Sequence, residues 1–307
     1  MIILFVIAMK VEFLFLLNKF EDVSEKKLGI YTYYEFKSKD KTIYILHSNI
    51  GDINTSISLS KFLSIVKPDI IINAGTSGAH DKKLNVGDIV LAKEAVNINC
   101  METVFKDINE GSKALDWKMV TFLDDEENLE GDYKVNYGDN ELIEKIKNIG
   151  NDLDLTIYEG RVASGDIWNK EKDRINLLNE KYFTLCEEME LFSVYTICKQ
   201  ENIPCIGIKI ISNNEMNGQS YDKNISEKLD EFLYNIIIEL DKSKTLLIVL
   251  IVVGSIVLIG IIVIILYIYF RKKRKRGNKV EEITRLHNLK DNNQKLLLDS
   301  QENSSPA

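Results

Sequence analysis

Short runs of aliphatic and β-branched residues alternate along this chain with longer amphipathic stretches. Nearly every apolar run stops at a glycine or a small polar residue. Residues 2–8, 42–46, 69–73, 88–92, 156–163 and 205–211 have the length and composition of strands, and Pro68 and Pro204 stand just before two of them. Residues 56–66, 190–201 and 225–240 carry helical spacing of apolar positions; in the first, Ile57, Leu59, Phe62, Leu63 and Val66 can face a core. Such alternation predicts an α/β domain with a largely parallel sheet covered on both faces. Residues 97–136 are polar and acidic without a sustained apolar period, and are expected to be irregular.

Ligands of sheets of this class sit at the carboxyl ends of strands, so the residues following each apolar run matter most. They read Ala8-Met9-Lys10-Val11-Glu12, Ser48-Asn49-Ile50-Gly51, Asn73-Ala74-Gly75-Thr76-Ser77-Gly78, Ser164-Gly165-Asp166-Ile167-Trp168-Asn169, Glu187-Glu188-Met189-Glu190 and Ile211-Ser212-Asn213-Asn214. Taken singly, each is ordinary. A glycine after a strand makes a turn, a glutamate at a helix start answers the helix dipole, and a tryptophan fills a core. Several such breaks on one edge of one sheet point instead to a binding site.

Composition narrows the partner. The net charge is −8, and the residues after Phe270 carry +5, which leaves about −13 on the rest of the chain. An acidic body argues against nucleic acid, whose phosphates need a basic face. Cys100, Cys186, Cys198 and Cys205 have no metal-type spacing and read as small buried hydrophobes, and His47, His80 and His287 are too scattered to hold zinc. No metal is expected.

Residues 245–270 are apolar and uncharged, and a basic cluster, Arg271–Arg276, follows at once. At ~1.5 Å per residue the stretch is long enough for a ~30 Å hydrocarbon core. The expectation is therefore a single-pass membrane anchor over 245–270 and a polar, disordered tail over 271–307. By the positive-inside rule that tail is cytoplasmic. The opening run, residues 2–8, has no basic residue before it and has the length of a buried strand, but a signal peptide stays open on composition alone; the strand is preferred on the resemblance given next.

The order and spacing of several blocks resemble the nucleoside phosphorylase/nucleosidase superfamily, and most of all the 5′-methylthioadenosine/S-adenosylhomocysteine nucleosidases. The blocks are Ala8-Met9 with Glu12, Lys67–Asn73 with Gly75 and Gly78, Val86-Gly87-Asp88-Ile89-Val90, Ser164-Gly165-Asp166, Glu188-Met189-Glu190 and Ile211-Ser212. The resemblance covers residues 1–241. It implies a three-layer αβα domain with a mixed central sheet, a homodimer, no cofactor, and a purine nucleoside as substrate.

It also implies roles. Glu12 matches a carboxylate that activates the attacking water, and Thr76 a small hydroxyl residue near that water and the ribose. Glu190 matches the carboxylate that holds the ribose hydroxyls, Met189 packs beneath the sugar, and Glu188 belongs to the same block. Trp168 takes the place of a base-stacking aromatic, and Asn169 follows where the backbone pairs with the base edge. Lys209 replaces an arginine that orients water. Met9, Ile50 and Ser212 complete the pocket. Asn213 stands where the family has its general acid, an aspartate. An amide releases no proton at neutral pH, so Asn213 implies altered base preference or lost catalysis. Ile7 and Asn49 replace usual glycines. No arginine occupies the places where phosphorolytic relatives hold phosphate. Hydrolysis is thus the first reading. A weakened nucleoside-binding module is the second. A phosphorylase, with preference for 6-oxopurines and using Lys10 and Thr76 at phosphate, is the third.

Overall fold

The structure is a computed structural model describing residues 1–121 and 129–240, together with residues 255, 258–269, 271–272, 283–286 and 290. It divides into two units, Met1–Asp241 and Lys242–Ala307.

In the first unit the elements run in the order β1 (Ile2–Ile7), α1 (Leu14–Leu17), β2 (Ser24–Leu28), β3 (Tyr31–Ser38), β4 (Lys41–His47), α2 (Asp52–Leu63), β5 (Ile70–Ala79) and β6 (Ile89–Asn97). Short β7 (Met101–Glu102), β8 (Lys118–Met119) and β9 (Leu129–Glu130) come next, then β10 (Tyr133–Tyr137), α3 (Asn140–Asp152) and β11 (Ile157–Ser164). The unit continues with α4 (Lys172–Tyr182), β12 (Thr184–Glu188), α5 (Leu191–Glu201), β13 (Cys205–Asn213) and α6 (Ser226–Glu239).

The sheet is mixed. Strand β1 lies between β4 and β5, parallel to both, and β5–β13, β6–β11 and β11–β12 are also parallel. The pairs β5–β12, β6–β13, β6–β10 and the β2–β3–β4 meander are antiparallel. Strands β5, β13, β6, β11 and β12 each pair with the next, and β12 returns to β5, closing a ring. This ring brings the ends of β5, β12 and β13 to one place.

Both faces of the sheet are covered. On β1, Ile3, Phe5 and Ile7 pack with Phe13 and Leu16, with Leu142 and Ile146 of α3, and with Phe232 and Ile236 of α6. Leu4 and Val6 point the other way, toward Leu59 and Phe62 of α2 and Leu191, Val194 and Tyr195 of α5. A strand buried on both faces needs no polar alternation, which is why the opening run reads as uniformly apolar. Burying each large aliphatic side chain stabilises the fold by about 1.5–3 kcal/mol.

Several elements extend or modify what the sequence implies. Strand β5 does not stop at Asn73 but continues through Gly75 to Ala79, because β13 and β12 supply hydrogen-bonding partners along its second half. The β2–β3 hairpin and helices α3 and α4 were not read in the sequence. In the acidic stretch 97–136, short strands β7–β9 and the start of β10 form; residues 122–128 lie outside the described residues.

The membrane expectation is corrected. Among the described residues no helix is long and apolar enough to cross a membrane. Within 245–270 the longest described helical stretch is 258–269. At ~1.5 Å per residue it spans about 18 Å, well short of a ~30 Å hydrocarbon core. Residues 245–254, 256, 257 and 270 lie outside the described residues, as does most of the tail beyond 272. The single-pass anchor falls, and with it the membrane partner, the membrane location and the cytoplasmic tail.

Candidate active site

A cavity of about 300 Å³ opens where the ends of β1, β4, β5, β11, β12 and β13 meet. Glu12 enters from a 3-10 turn, Lys10–Glu12, directly after β1. It is buried, with 2% exposure, and is held on both oxygens. Thr76 donates to Oε1 from its backbone N–H at 2.7 Å and its hydroxyl at 2.8 Å, and the Met9 N–H donates to Oε2 at 3.1 Å. Burial raises this carboxyl above the usual range, against the lowering effect of the Thr76 bonds.

The second carboxylate group sits where β12 runs into α5. Glu188 accepts the Glu190 and Leu191 backbone N–H groups at 3.0 Å and so caps its own helix. Its Oε2 also receives Lys209 Nζ at 2.8 Å, and Lys209 bonds Asn73 Oδ1 at 2.5 Å. Glu190 accepts the Gly51 N–H at 2.9 Å. Burial and then the neighbouring Glu188 charge push the Glu190 carboxyl up to about 8. Gly51 has φ of 96°, and a Cβ there would lie 2.9 Å from Asp166 Oδ1. Glycine is therefore required at this lip of the cavity.

The opposite end is lined by Trp168, Tyr221, Gly78, Ser212, Asn213 and Glu187. The Trp168 and Tyr221 rings meet edge-on, with centroids 5.9 Å apart. The Ser212 hydroxyl donates to Asn213 Oδ1 at 3.0 Å. Glu187 accepts from Asn169 through its backbone N–H at 2.7 Å and its side-chain amide at 2.5 Å, and pairs with His80 Nε2 at 3.0 Å.

Met9, Glu12, Ile50, Thr76, Trp168, Glu188, Met189, Glu190, Ser212 and Asn213 all line this cavity. Asn169 and Lys209 do not. The Asn169 N–H is turned to Glu187, and Lys209 lies beneath Glu188 with 1% exposure. Sequence reasoning missed Glu187, Tyr221 and His80. Glu187 gave a signal, as a third acidic residue in a run placed at a strand end; Tyr221 gave none. Among the described residues no group of three or more His, Cys, Asp and Glu side chains is placed to hold a metal ion.

Residues 2–248 match the family model described as "Phosphorylase superfamily". The chain belongs to the phosphorylase superfamily. Within it, the chain is 27% identical over 214 residues to a 5′-methylthioadenosine/S-adenosylhomocysteine nucleosidase of Buchnera aphidicola, covering 69% of this chain and 84% of that one. It is 28% identical over 207 residues to the nucleosidase of the same name from Staphylococcus aureus, covering 67% and 83%. Among solved structures, an Asp-to-Asn mutant of the Helicobacter pylori nucleosidase, with 5′-methylthioadenosine in its active site, superimposes with a TM-score of 0.63. The identity is 21%, over 76% of this chain and 97% of that one. The superfamily fold thus accounts for the domain, and the cavity lies within the matched residues.

Proposed function

We propose that this protein hydrolyses the N-glycosidic bond of a purine nucleoside, in the manner of the 5′-methylthioadenosine/S-adenosylhomocysteine nucleosidases it is similar to. The observation that carries this reading is the placement of two buried carboxylates, Glu12 and Glu190, in one cavity with Met189 and a base-sized aromatic end. Breaking the bond leaves an oxocarbenium-like sugar, which buried carboxylates stabilise. Glu190, whose carboxyl is pushed up to about 8 by burial and the Glu188 charge, holds the ribose hydroxyls. Glu12, fixed by Thr76 and Met9, takes the proton of the attacking water. Lys209 pairs with Glu188, whose carboxylate accepts the Glu190 and Leu191 N–H groups, and so sets the shape of the Glu190 turn rather than touching water.

Asn213 reaches the base as a hydrogen-bond donor and releases no proton. The leaving base is stabilised by hydrogen bonding instead of full protonation, which lowers the rate without removing the site. Among the described residues no arginine lines the cavity, which favours water over phosphate as the nucleophile. The enzyme works as a homodimer: Ile50 at the cavity and Ile53 and Ile57 of α2 are exposed apolar side chains, suited to cover by a second copy.

Full-length protein incubated with purine nucleosides tests the reading. Free base should appear with the wild type and fall to background with Glu190→Ala. Absence of release with every purine nucleoside would overturn it.

A further inference from the structure

The start of α2 gives two consecutive backbone N–H groups to two different carboxylates. The Gly51 N–H donates to Glu190 Oε1 at 2.9 Å, and the Asp52 N–H donates to Asp166 Oδ1 at 3.0 Å. The first N–H groups of a helix have no partner inside it, so both are open to this use. Asp166 also walls in Gly51: its Oδ1 stands 2.9 Å from where a Cβ would sit, on a backbone with φ of 96°. The aim of the Gly51 N–H at Glu190 thus depends on how this lip of the cavity is held.

Asp166 is held in turn from outside the cavity. Its own N–H donates to Asn99 Oδ1 at 3.1 Å, and the Asn99 side-chain amide donates to Asp52 Oδ2 at 3.3 Å. Asp52, Asp166 and Asn99 thus close a ring of three hydrogen bonds, which joins the start of α2 to the segments just after β11 and β6. The Ser193 hydroxyl donates to Asp52 Oδ1 at 2.5 Å and ties the ring to the first turn of α5, the helix that Glu190 opens. Asp166 itself does not line the cavity, whereas its neighbours Ile167 and Trp168 do. One carboxylate at the rim is therefore joined both to the N–H that Glu190 receives and to the segment that carries Trp168.

We infer that Asp166 is a positioning residue for Glu190: by accepting the Asp52 N–H and walling in Gly51, it keeps the Gly51 N–H on the carboxylate that receives the ribose. The inference rests on the nucleosidase reading above and adds a residue to it. A hydrogen bond to a carboxylate favours its charged form. Burial and the charges of Glu188 on β12 and Glu12 after β1 oppose the ionisation of Glu190, while Lys209 of β13 and the Gly51 N–H favour it. Of these, a substitution at Asp166 disturbs the Gly51 N–H and leaves Glu188, Glu12 and Lys209 in place. A weaker bond from Gly51 raises the Glu190 carboxyl further, so the ionised acceptor of the ribose hydroxyls forms only at higher pH.

The test uses full-length protein and base release from 5′-methylthioadenosine or 5′-methylthioinosine, whichever the wild type cleaves faster, with kcat and KM followed from acid to alkaline pH. Asp166→Ala removes the acceptor. It should raise KM at neutral pH by at least about 10-fold, with a smaller change in kcat, and move the acid limb of kcat/KM upward by about one pH unit. Asp166→Asn keeps a carbonyl oxygen for the Asp52 N–H and should stay near the wild type. Asn99→Ala, which frees Asp166 from outside the cavity, should move the limb in the same direction as Asp166→Ala, and asks the same question should that variant not fold. Hydrogen exchange of the Gly51 amide, read by NMR in protein with isotope-labelled glycine, should be slow in the wild type and Asp166→Asn and fast in Asp166→Ala. A profile lowered at every pH with its limb unmoved, or an Asp166→Asn variant as impaired as Asp166→Ala, would overturn the inference and leave the nucleosidase reading intact. A wild type that releases no base would overturn that reading; Gly51 exchange still decides the hold of Asp166, and equal exchange in wild type and Asp166→Ala would overturn the inference as well.

Discussion

Thr76 fastens Glu12 twice, through its backbone N–H at 2.7 Å and its hydroxyl at 2.8 Å, both on Oε1. The carboxyl is thereby aimed before any substrate arrives, and Oε2, bonded to the Met9 N–H, keeps lone-pair capacity on the cavity side. Glu12→Gln should reduce the rate of base release by about 100- to 10,000-fold, the usual contribution of a positioned base. Thr76→Val removes one of the two bonds and should cost roughly 10-fold in kcat with little change in KM. A Thr76→Val loss confined to KM would place the hydroxyl on the substrate instead of on Glu12. Initial-rate kinetics across substrate concentration separate these outcomes.

Asn213 stands where its superfamily resemblance puts an acid. Asn213→Asp supplies a group that can carry a proton to the base and that also accepts from an exocyclic amine. Release of adenine from adenine nucleosides should rise by about 100- to 10,000-fold relative to the wild type. A variant that binds but does not gain would show that the base leaves without protonation in this cavity.

Lys209 and Glu188 form a buried ion pair with side-chain exposures of 1% and 2%. Lys209→Met leaves a buried carboxylate without its cation, a change that typically costs about 3–5 kcal/mol. Thermal melts should show a large drop for Lys209→Met. The double variant Lys209→Met with Glu188→Gln should recover part of it, since no unpaired charge is then left. No recovery would mean the pair is not the stabilising unit.

Asp230 of α6 accepts the Leu16 N–H at 3.1 Å through Oδ2, and among the described residues its buried Oδ1 has no hydrogen-bond partner. Burial raises its carboxyl from 3.8 to about 7. Between those values the unfolded chain ionises while the folded chain keeps the proton. The folded state then binds more protons, and stability falls as pH rises through that window. Asp230→Asn is free of this penalty. Its melting temperature should match the wild type near pH 4 and exceed it by a few degrees at pH 8. A difference that does not change with pH would contradict the raised carboxyl.

The exposed apolar side chains of Ile50, Ile53 and Ile57 predict a particle of about twice the 35.2 kDa chain mass in light scattering. Ile53→Glu should shift it toward the single-chain mass.

Much of the candidate site was legible because it gathers where apolar runs end: Glu12, Trp168, Met189 and Glu190 follow their strands within a few residues, Asn213 is the last residue of β13, Thr76 follows the apolar first half of β5, and the cavity collects them. Glu187 was not assigned because its meaning depends on His80 and on Asn169, which are over a hundred and 18 positions away. Lys209 was recognised by position, but its partner Glu188 is a tertiary fact. Helix α3 was in principle readable: Asp139 caps it, and Leu142, Ile143, Ile146 and Ile149 recur at helical spacing. Strand β5 was cut short because Gly75 and Gly78 signal a turn locally, whereas partners on both sides keep the strand extended. The apolar C-terminal stretch shows the opposite failure, where hydropathy alone suggested a membrane helix that the described residues do not support.

The sugar product tests the central claim most directly. Full-length protein and a purine nucleoside are incubated with and without inorganic phosphate, and the sugar is followed by reducing-end assay and phosphorus NMR. Hydrolysis in this cavity predicts free base and an equal amount of reducing pentose in both conditions, with no sugar phosphate. Base release that requires phosphate and yields a sugar 1-phosphate, or no release in either condition, would contradict it.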